Sequence, residues 1–326
     1  MKLLYLFESI RSPILDKFFL AVTELGDETF FIAAALIIFW CVSKKTGYYM
    51  MSVCFFGTII NQALKLMFRV LRPWIVDPDF TIVEEARERA AGYSFPSGHT
   101  QNAVGIFGCI AAEMSGKKRG IILSGVKRRI AIAVCILLAF FTCMSRLYLG
   151  VHTPLDVAVS AFLAAVLVLG FKLIFDNVNN EDTAIYTIIA LMLVFASGYL
   201  AYAYSLPISS IGAEDMYNIE EGQKNAFYML GEAAGIAVAY PIEKKFVKFN
   251  TAASPAVQVL KTIPGFLLVI FIKSKLKAPL AFVFEGYNIG IAHALRYFVI
   301  VFFAVCIWPM SFRYIERIYY KIIKSR

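Results

Sequence analysis

Ser145-Arg146-Leu147-Tyr148-Leu149-Gly150-Val151-His152-Thr153-Pro154-Leu155-Asp156 joins the end of one apolar run, residues 128–148, to the start of another, residues 154–175. Each run is close to the ~20 residues that a helix needs to cross a bilayer. The stretch therefore reads as the turn between two membrane-spanning helices. It sets a hydroxyl, a guanidinium, an imidazole and a carboxylate at a membrane surface, where such groups seldom gather without a task. Thr153-Pro154 has the form of an N-cap followed by proline at the first helical position. His152 and Asp156, four apart, then sit around one helix start. A carboxylate that accepts a hydrogen bond from one ring nitrogen fixes the tautomer and leaves the other nitrogen free as base or nucleophile.

The same reading extends outward over the whole chain. Of 326 residues, 60% are hydrophobic and 17% charged, and the mean hydropathy is +0.69. Too little polar sequence remains to coat a water-soluble helical bundle of this size. Apolar runs recur near residues 28–43, 47–66, 99–115, 128–148, 154–175, 184–204, 225–241, 257–272 and 290–310. They predict an all-α, polytopic transmembrane bundle of about nine spans. Ahead of them, Leu3, Leu4, Leu6, Phe7, Ile10, Ile14, Leu15, Phe18 and Phe19 recur at helical spacing among charged residues, which predicts a helix lying in the membrane interface. This segment does not read as a signal peptide, because the apolar run after Lys2 is broken at Glu8.

Lys and Arg in short loops set the expected orientation. Lys44 and Lys45, then Lys117, Lys118, Arg119, Lys127, Arg128 and Arg129, mark cytoplasmic loops. Lys244, Lys245, Lys248 and the basic tail from Arg313 fall on the same side. The acidic loop with Glu214, Asp215, Glu220 and Glu221 falls outside. Lys273, Lys275 and Lys277 break the pattern. The expectation is an external N-terminus, a cytoplasmic C-terminus and a site on the external face of the plasma membrane. A cysteine at Ser94 is then expected to be reachable from outside and one at Ser124 not. The +9 net charge is spread over separate loops with no stripe that could track a phosphate backbone, so no nucleic-acid partner is expected. The six cysteines lie inside apolar runs without metal-ligand spacing and read as packing residues. The motifs end at Asp156, which suggests a site-bearing portion over residues 1–180 and additional helices of unassigned role over 181–326.

Two further clusters fall on the external side by the same count. Lys65, Arg69 and Arg72-Pro73 stand at the end of the second run. Lys65 and Arg72, seven apart, are expected on one face of a continuing helix, ready to meet one anion. Pro96-Ser97-Gly98-His99 opens the third run. Ser97 suits an N-cap, and Gly98 lets a ligand approach the free amides of the first turn, a natural seat for phosphate. Taken singly, each cluster has a plain reading as cations at a helix end or an ordinary cap. Two of the three histidines of the chain fall in these motifs.

Together the blocks match Lys-x6-Arg-Pro, Pro-Ser-Gly-His and Ser-Arg-x5-His-x3-Asp. In this the chain resembles the type-2 phosphatidic-acid phosphatase and vanadium haloperoxidase superfamily, over about residues 1–175. The resemblance implies a phosphohistidine mechanism with no metal and no cofactor. His152 is the implied nucleophile and Asp156 its orienting carboxylate. His99 protonates the leaving oxygen and then activates water. Lys65, Arg72, Ser97, the Gly98 amide and Arg146 hold the phosphoryl oxygens. Such preplaced donors can do for spreading negative charge what Mg²⁺ does elsewhere.

The expected function is hydrolysis of a membrane-lipid phosphate or diphosphate. By family analogy an undecaprenyl-diphosphate-like substrate ranks first and a phosphatidate-like one second. A phosphatase for soluble esters, and a transporter or scaffold that binds phosphate without turnover, are the alternatives. The intact His99, His152 and Asp156 set speaks against mere binding, which needs only the cations. A haloperoxidase needs bound vanadate and gains nothing from the spans. Oligomeric state is not legible.

Overall fold

The computed structural model describes residues 1–88, 90–115, 125–206, 213–285 and 288–324. Among them all regular secondary structure is helical. The elements are α1 (Lys2–Ser9), α2 (Pro13–Thr23), α3 (Glu28–Cys41), α4 (Lys44–Phe68), α5 (Pro73–Val76), α6 (Gly98–Ser115), α7 (Gly125–Tyr148) and α8 (Pro154–Asn177). There follow α9 (Glu181–Ser205), α10 (Ala213–Ile242), α11 (Pro255–Lys275), α12 (Lys277–Val283), α13 (Ile289–Phe302), α14 (Trp308–Met310) and α15 (Phe312–Lys324). Each apolar run noted above lies mainly on helix; the last, residues 290–310, crosses α13, a π-helical stretch Phe303–Ile307 and α14. Six stretches are long and apolar enough to cross a membrane: Lys44–Val76, Gly125–Tyr148, Pro154–Asn177, Glu181–Ser205, Pro255–Val283 and Ile289–Ile323. Glu28–Cys41 is apolar but shorter. Lys117, Lys118, Arg119 and Ser124 lie outside the described residues, as does the side chain of Glu214.

The chain forms two compact units. One comprises Met1–Ala34, Tyr49–Val178 and Leu206–Gly222; the other comprises Ala35–Tyr48, Asn179–Ser205 and Gln223–Arg326.

In the first unit α6 packs against α7 and α8, and α2 against α7. Local chemistry sets the helix starts. The Ser12 hydroxyl accepts from the Leu15 amide ahead of Pro13, and Thr153 and Asp156 form a reciprocal capping box ahead of Pro154. The amphipathic N-terminal segment divides its apolar residues between two faces. Leu4 is fully buried, and Phe7, Phe19 and Leu20 pack on Tyr148, Leu149 and Val151, just ahead of His152. Leu6, Ile10, Ile14 and Phe18 point outward. On α8, Phe162, Val166, Leu169 and Leu173 are at least half exposed, as suits a helix whose outer surface meets hydrocarbon.

In the second unit the basic loop residues have acidic partners. Lys44 meets Glu243 at 2.5 Å, Lys45 meets Glu181 at 3.1 Å and Lys244 meets Asp182 at 2.6 Å. Lys261, fully buried, donates to Glu316 at 2.7 Å and lies over the Phe312 ring. The two glycines of Gly231-Glu232-Ala233-Ala234-Gly235 seat α10 on α13. A Cβ at Gly231 would run into the Ala294 carbonyl, and one at Gly235 would lie 3.0 Å from the Phe298 carbonyl oxygen. Backbones this close require small residues, as membrane helix pairs commonly do. Gly231→Val is therefore expected to destabilise the protein in detergent by about 3 kcal/mol or more, because backbone rather than a movable side chain blocks the methyls. A thermal melt in detergent checks it.

Candidate active site

Helix α4 carries Asn61 and Lys65 on its last turns and stops at Phe68. Arg69 then turns into the left-handed region with φ of 48°, and Arg72 comes after the break as the residue ahead of Pro73 in α5. The expectation that Lys65 and Arg72 share one continuing helix face is thus corrected. A turn, not helical periodicity, brings the two cations to the same place.

What they meet there is a row of backbone carbonyls. Arg72 Nη2 donates to Ala91 O at 2.9 Å, Arg72 Nε to Gly92 O at 3.0 Å, and Lys65 Nζ to Tyr93 O at 2.7 Å. Gly92, at φ of 72°, adopts the conformation that turns these carbonyls toward the cations. The Ser94 amide donates to Val70 O at 2.8 Å, and the Ser94 hydroxyl donates to Asp156 Oδ2 at 2.6 Å. Residues 91–94 thereby tie the α4–α5 turn to the start of α8.

Ser97 caps α6. Its hydroxyl accepts from the Thr100 amide at 3.4 Å, and its own amide donates to Asp156 O at 3.3 Å. Gly98 and His99 form the first turn, whose free amides and dipole favour an anion. His99 has Arg146, His152, Arg72 and Lys65 as its charged or titratable neighbours. The turn Glu24–Gly26 closes on it from beneath. A Cβ at Gly26 would lie 2.5 Å from the His99 carbonyl oxygen, and Asn102 Nδ2 donates to Gly26 O at 3.1 Å. Arg146, on the last turn of α7 and 1% exposed, donates from Nη1 to the buried Thr23 hydroxyl at 2.6 Å.

His152 is 2% exposed. Its Nε2 lies 3.0 Å from Arg72 Nη1. A guanidinium has only hydrogens to offer, so Nε2 presents its lone pair and the ring proton belongs on Nδ1. Nδ1 faces Asp156 Oδ2 at 3.5 Å, beyond hydrogen-bond range, with the Ser94 backbone as a further neighbour of the ring. That carboxylate oxygen also accepts from the Thr153 amide at 2.7 Å. Burial first, then the charges of Arg72, Arg146 and Lys65, hold His152 well below the usual histidine range, so its imidazole is neutral. The result is a neutral, oriented imidazole whose Nε2 lone pair accepts from Arg72 within a pocket of cations; an anion that draws off that N–H frees the lone pair for nucleophilic attack.

The structure brings together Lys65, Arg72, Ser97, Gly98, His99, Arg146, His152 and Asp156. Arg72 is more committed than the sequence suggested. Four of its neighbours are protein acceptors, leaving one of its five N–H groups for anything else. Ser94, taken as a surface labelling position, is instead fully buried against Asp156. Thr23, Gly26, Asn61 and Tyr93 also build the site, and nothing in their types or spacing set them apart.

Comparison with known proteins supplies the family. Residues 45–180 match the PAP2 superfamily, and residues 227–317 match the transmembrane extension of PAP2 superfamily phosphatases. Phosphatidylglycerophosphatase B of Bacillus subtilis is 33% identical over 156 residues, 45% of this chain and 69% of that protein. A probable sphingosine-1-phosphate phosphatase of Dictyostelium discoideum is 29% identical over 163 residues, 48% of this chain and 38% of that one. The human sphingosine-1-phosphate phosphatase 2 is 22% identical over 255 residues, 76% of this chain and 57% of its own length. No solved structure matches the chain. An apolar helical chain with these matches belongs to the PAP2 superfamily and is a membrane phosphatase of the type-2 phosphatidic-acid phosphatase kind.

Proposed function

We propose that the chain hydrolyses a lipid phosphate or diphosphate, without a metal, through a phosphohistidine at His152. One observation carries the reading: the His152 ring stands with Nε2 at 3.0 Å from Arg72 Nη1 and Nδ1 turned to Asp156. Nε2 attacks phosphorus as the bond to the lipid oxygen breaks, and His99 protonates that oxygen. Asp156 stabilises the imidazolium through Nδ1–H, a contact that tightens from 3.5 Å as positive charge develops. His99 then accepts a proton from the water that attacks phosphorus, which releases orthophosphate and restores neutral His152. Lys65, Arg146, Ser97, the Gly98 amide and the remaining N–H of Arg72 hold the equatorial oxygens.

For the substrate, an isoprenoid-lipid diphosphate of the undecaprenyl kind ranks first by family analogy. A phosphatidate-like substrate ranks second; the names of the relatives point to lipid monophosphates, of which it is one kind. Phosphate release by purified protein in detergent with EDTA, across lipid diphosphates, lipid monophosphates and water-soluble esters, decides among them. Release from soluble esters alone would move the substrate out of the membrane, and binding without release would make the chain a transporter or scaffold.

The arrangement in the membrane follows the loop charges: about nine spans, α1 and α2 in the interface, and the site on the external face of the plasma membrane. Outward Leu6, Ile10, Ile14 and Phe18 support the interfacial placement. The two family matches, at 45–180 and 227–317, support a division near residue 180 into a phosphatase core and an added helical portion. Glu85 and Lys127 are both exposed. With native cysteines replaced, a cysteine at Glu85 is expected to react with an impermeant thiol reagent from outside and one at Lys127 is not; the opposite pattern places the site in the cytoplasm.

The pH dependence follows from His152. Because its pKa is lowered, the acid limb that protonation of His152 imposes on kcat/KM, corrected for substrate ionisation, should lie below about pH 6.5, while the alkaline limb belongs to His99, which must enter carrying its proton. The stability linkage has the same sign. Below about pH 6.5 the unfolded chain takes up the proton that folded His152 refuses, so this contribution is full above that pH and is lost on the acid side. An acid limb centred above pH 6.5 that disappears in His152→Ala would contradict the assignment.

A further inference from the structure

The carbonyls that seat Lys65 and Arg72 come from Ala91, Gly92 and Tyr93, and the only long side chain among these three is the Tyr93 phenol. Tyr93 is 1% exposed, and its hydroxyl donates to Asp215 Oδ1 at 2.5 Å, the short length of a charge-assisted bond. Asp215 lies in the first turn of α10, within the segment that belongs to the same compact unit as the catalytic motifs. A second contact follows two turns later. A Cβ at Gly222 would lie 2.7 Å from Leu66, the residue next to Lys65. The first turns of α10 thus bear on both parts of the phosphate grip, the carbonyl row through Tyr93 and the end of α4 through Leu66.

We propose that Asp215 is a positioning residue of the active site, acting through Tyr93 to fix the carbonyl row that aims Lys65 and Arg72 at the phosphoryl group. An ordinary role for an acid at this place is to complement the helix dipole in the first turn. That role requires no partner 122 residues away, whereas the phenol–carboxylate bond spans that separation. The inference gives one helix of the added C-terminal portion, α10, a task in the phosphatase reaction, and it rests on reading Lys65 and Arg72 as the phosphate grip. A shift of the grip by less than 1 Å suffices to slow the reaction, since misplacement on that scale costs about a hundredfold when geometry supplies the rate.

The test compares Asp215→Ala, Asp215→Asn, Tyr93→Phe and the double variant Asp215→Ala/Tyr93→Phe in the full chain in detergent. It reads kcat, KM, the affinity for orthovanadate and thermal stability. Asp215→Ala and Tyr93→Phe are each expected to lower kcat and vanadate affinity by roughly ten- to a hundredfold. The double variant should be no worse than either single one, as for two members of one link. Asp215→Asn keeps a neutral acceptor for the phenol and should recover part of the loss, although it lacks the charge that a dipole role requires. Wild-type kcat and vanadate affinity in Asp215→Ala would overturn the proposal. So would losses that simply add in the double variant, or Asn behaving like Ala. Vanadate binding is read independently of turnover, so a wild-type protein that binds vanadate but releases no phosphate refutes the hydrolase reading while leaving the positioning link to be judged on affinity alone.

Discussion

His152→Ala is expected to slow phosphate release on the order of 10⁴-fold while leaving the protein folded. Its ring supplies the lone pair that makes the new bond to phosphorus, and no other residue among those described offers a neutral imidazole to Arg72. The variant should remain stable, because the surrounding frame rests on other contacts. Arg72 retains the Ala91, Gly92 and Val151 carbonyls, and Asp156 retains Ser94 and the Thr153 amide. Removing the imidazole also leaves a cluster of cations with one fewer titratable neighbour, so vanadate should still bind in the His152→Ala protein. Turnover within tenfold of wild type would remove the nucleophile from the account.

Arg146→Lys is the second large effect, with an expected loss in kcat of about 10²- to 10³-fold, the range for removing one preorganised donor to a developing charge. The guanidinium is buried, and its Nη1 donates to the Thr23 hydroxyl. A lysine ammonium is one point charge on a flexible stem, and it cannot hold Thr23 and grip two oxygens at once. Steady-state kinetics beside a melting curve separate this from misfolding: kcat falls with stability nearly unchanged. A lysine variant with wild-type kcat would show that position 146 contributes charge alone.

How much of this was legible beforehand follows from where each contact comes from. Apolar runs at bilayer length give helices, and the described helices fall on every run. Proline after Thr153, and Ser97 before Gly98, mark helix starts because cap and proline chemistry is local. The eight candidate residues converge because three short motifs carry distinctive side chains. The break after Phe68 is not legible, since no glycine or proline marks Arg69, and the seven-residue spacing of Lys65 and Arg72 predicts one helix face instead. The carbonyls of residues 91–93 have no sequence signature at all, because any residue contributes the same backbone oxygen. Thr23 and Asp215 read as ordinary cap-type or surface residues until the fold places one on Arg146 and the other on Tyr93. Topology places Ser94 in a loop expected on the external side, but a loop that lines a buried site turns its hydroxyls inward.

The most direct test of the central claim is to locate the phosphoryl group during turnover. Purified protein is mixed with ³²P-labelled lipid phosphate in EDTA and quenched in alkali, where phosphohistidine survives, and the labelled peptide is identified by mass spectrometry. The account predicts turnover undiminished by EDTA and label on His152, more of it in His99→Ala, where the step that discharges the phosphohistidine lacks its base. Label on any other residue, or turnover that EDTA abolishes, would contradict it.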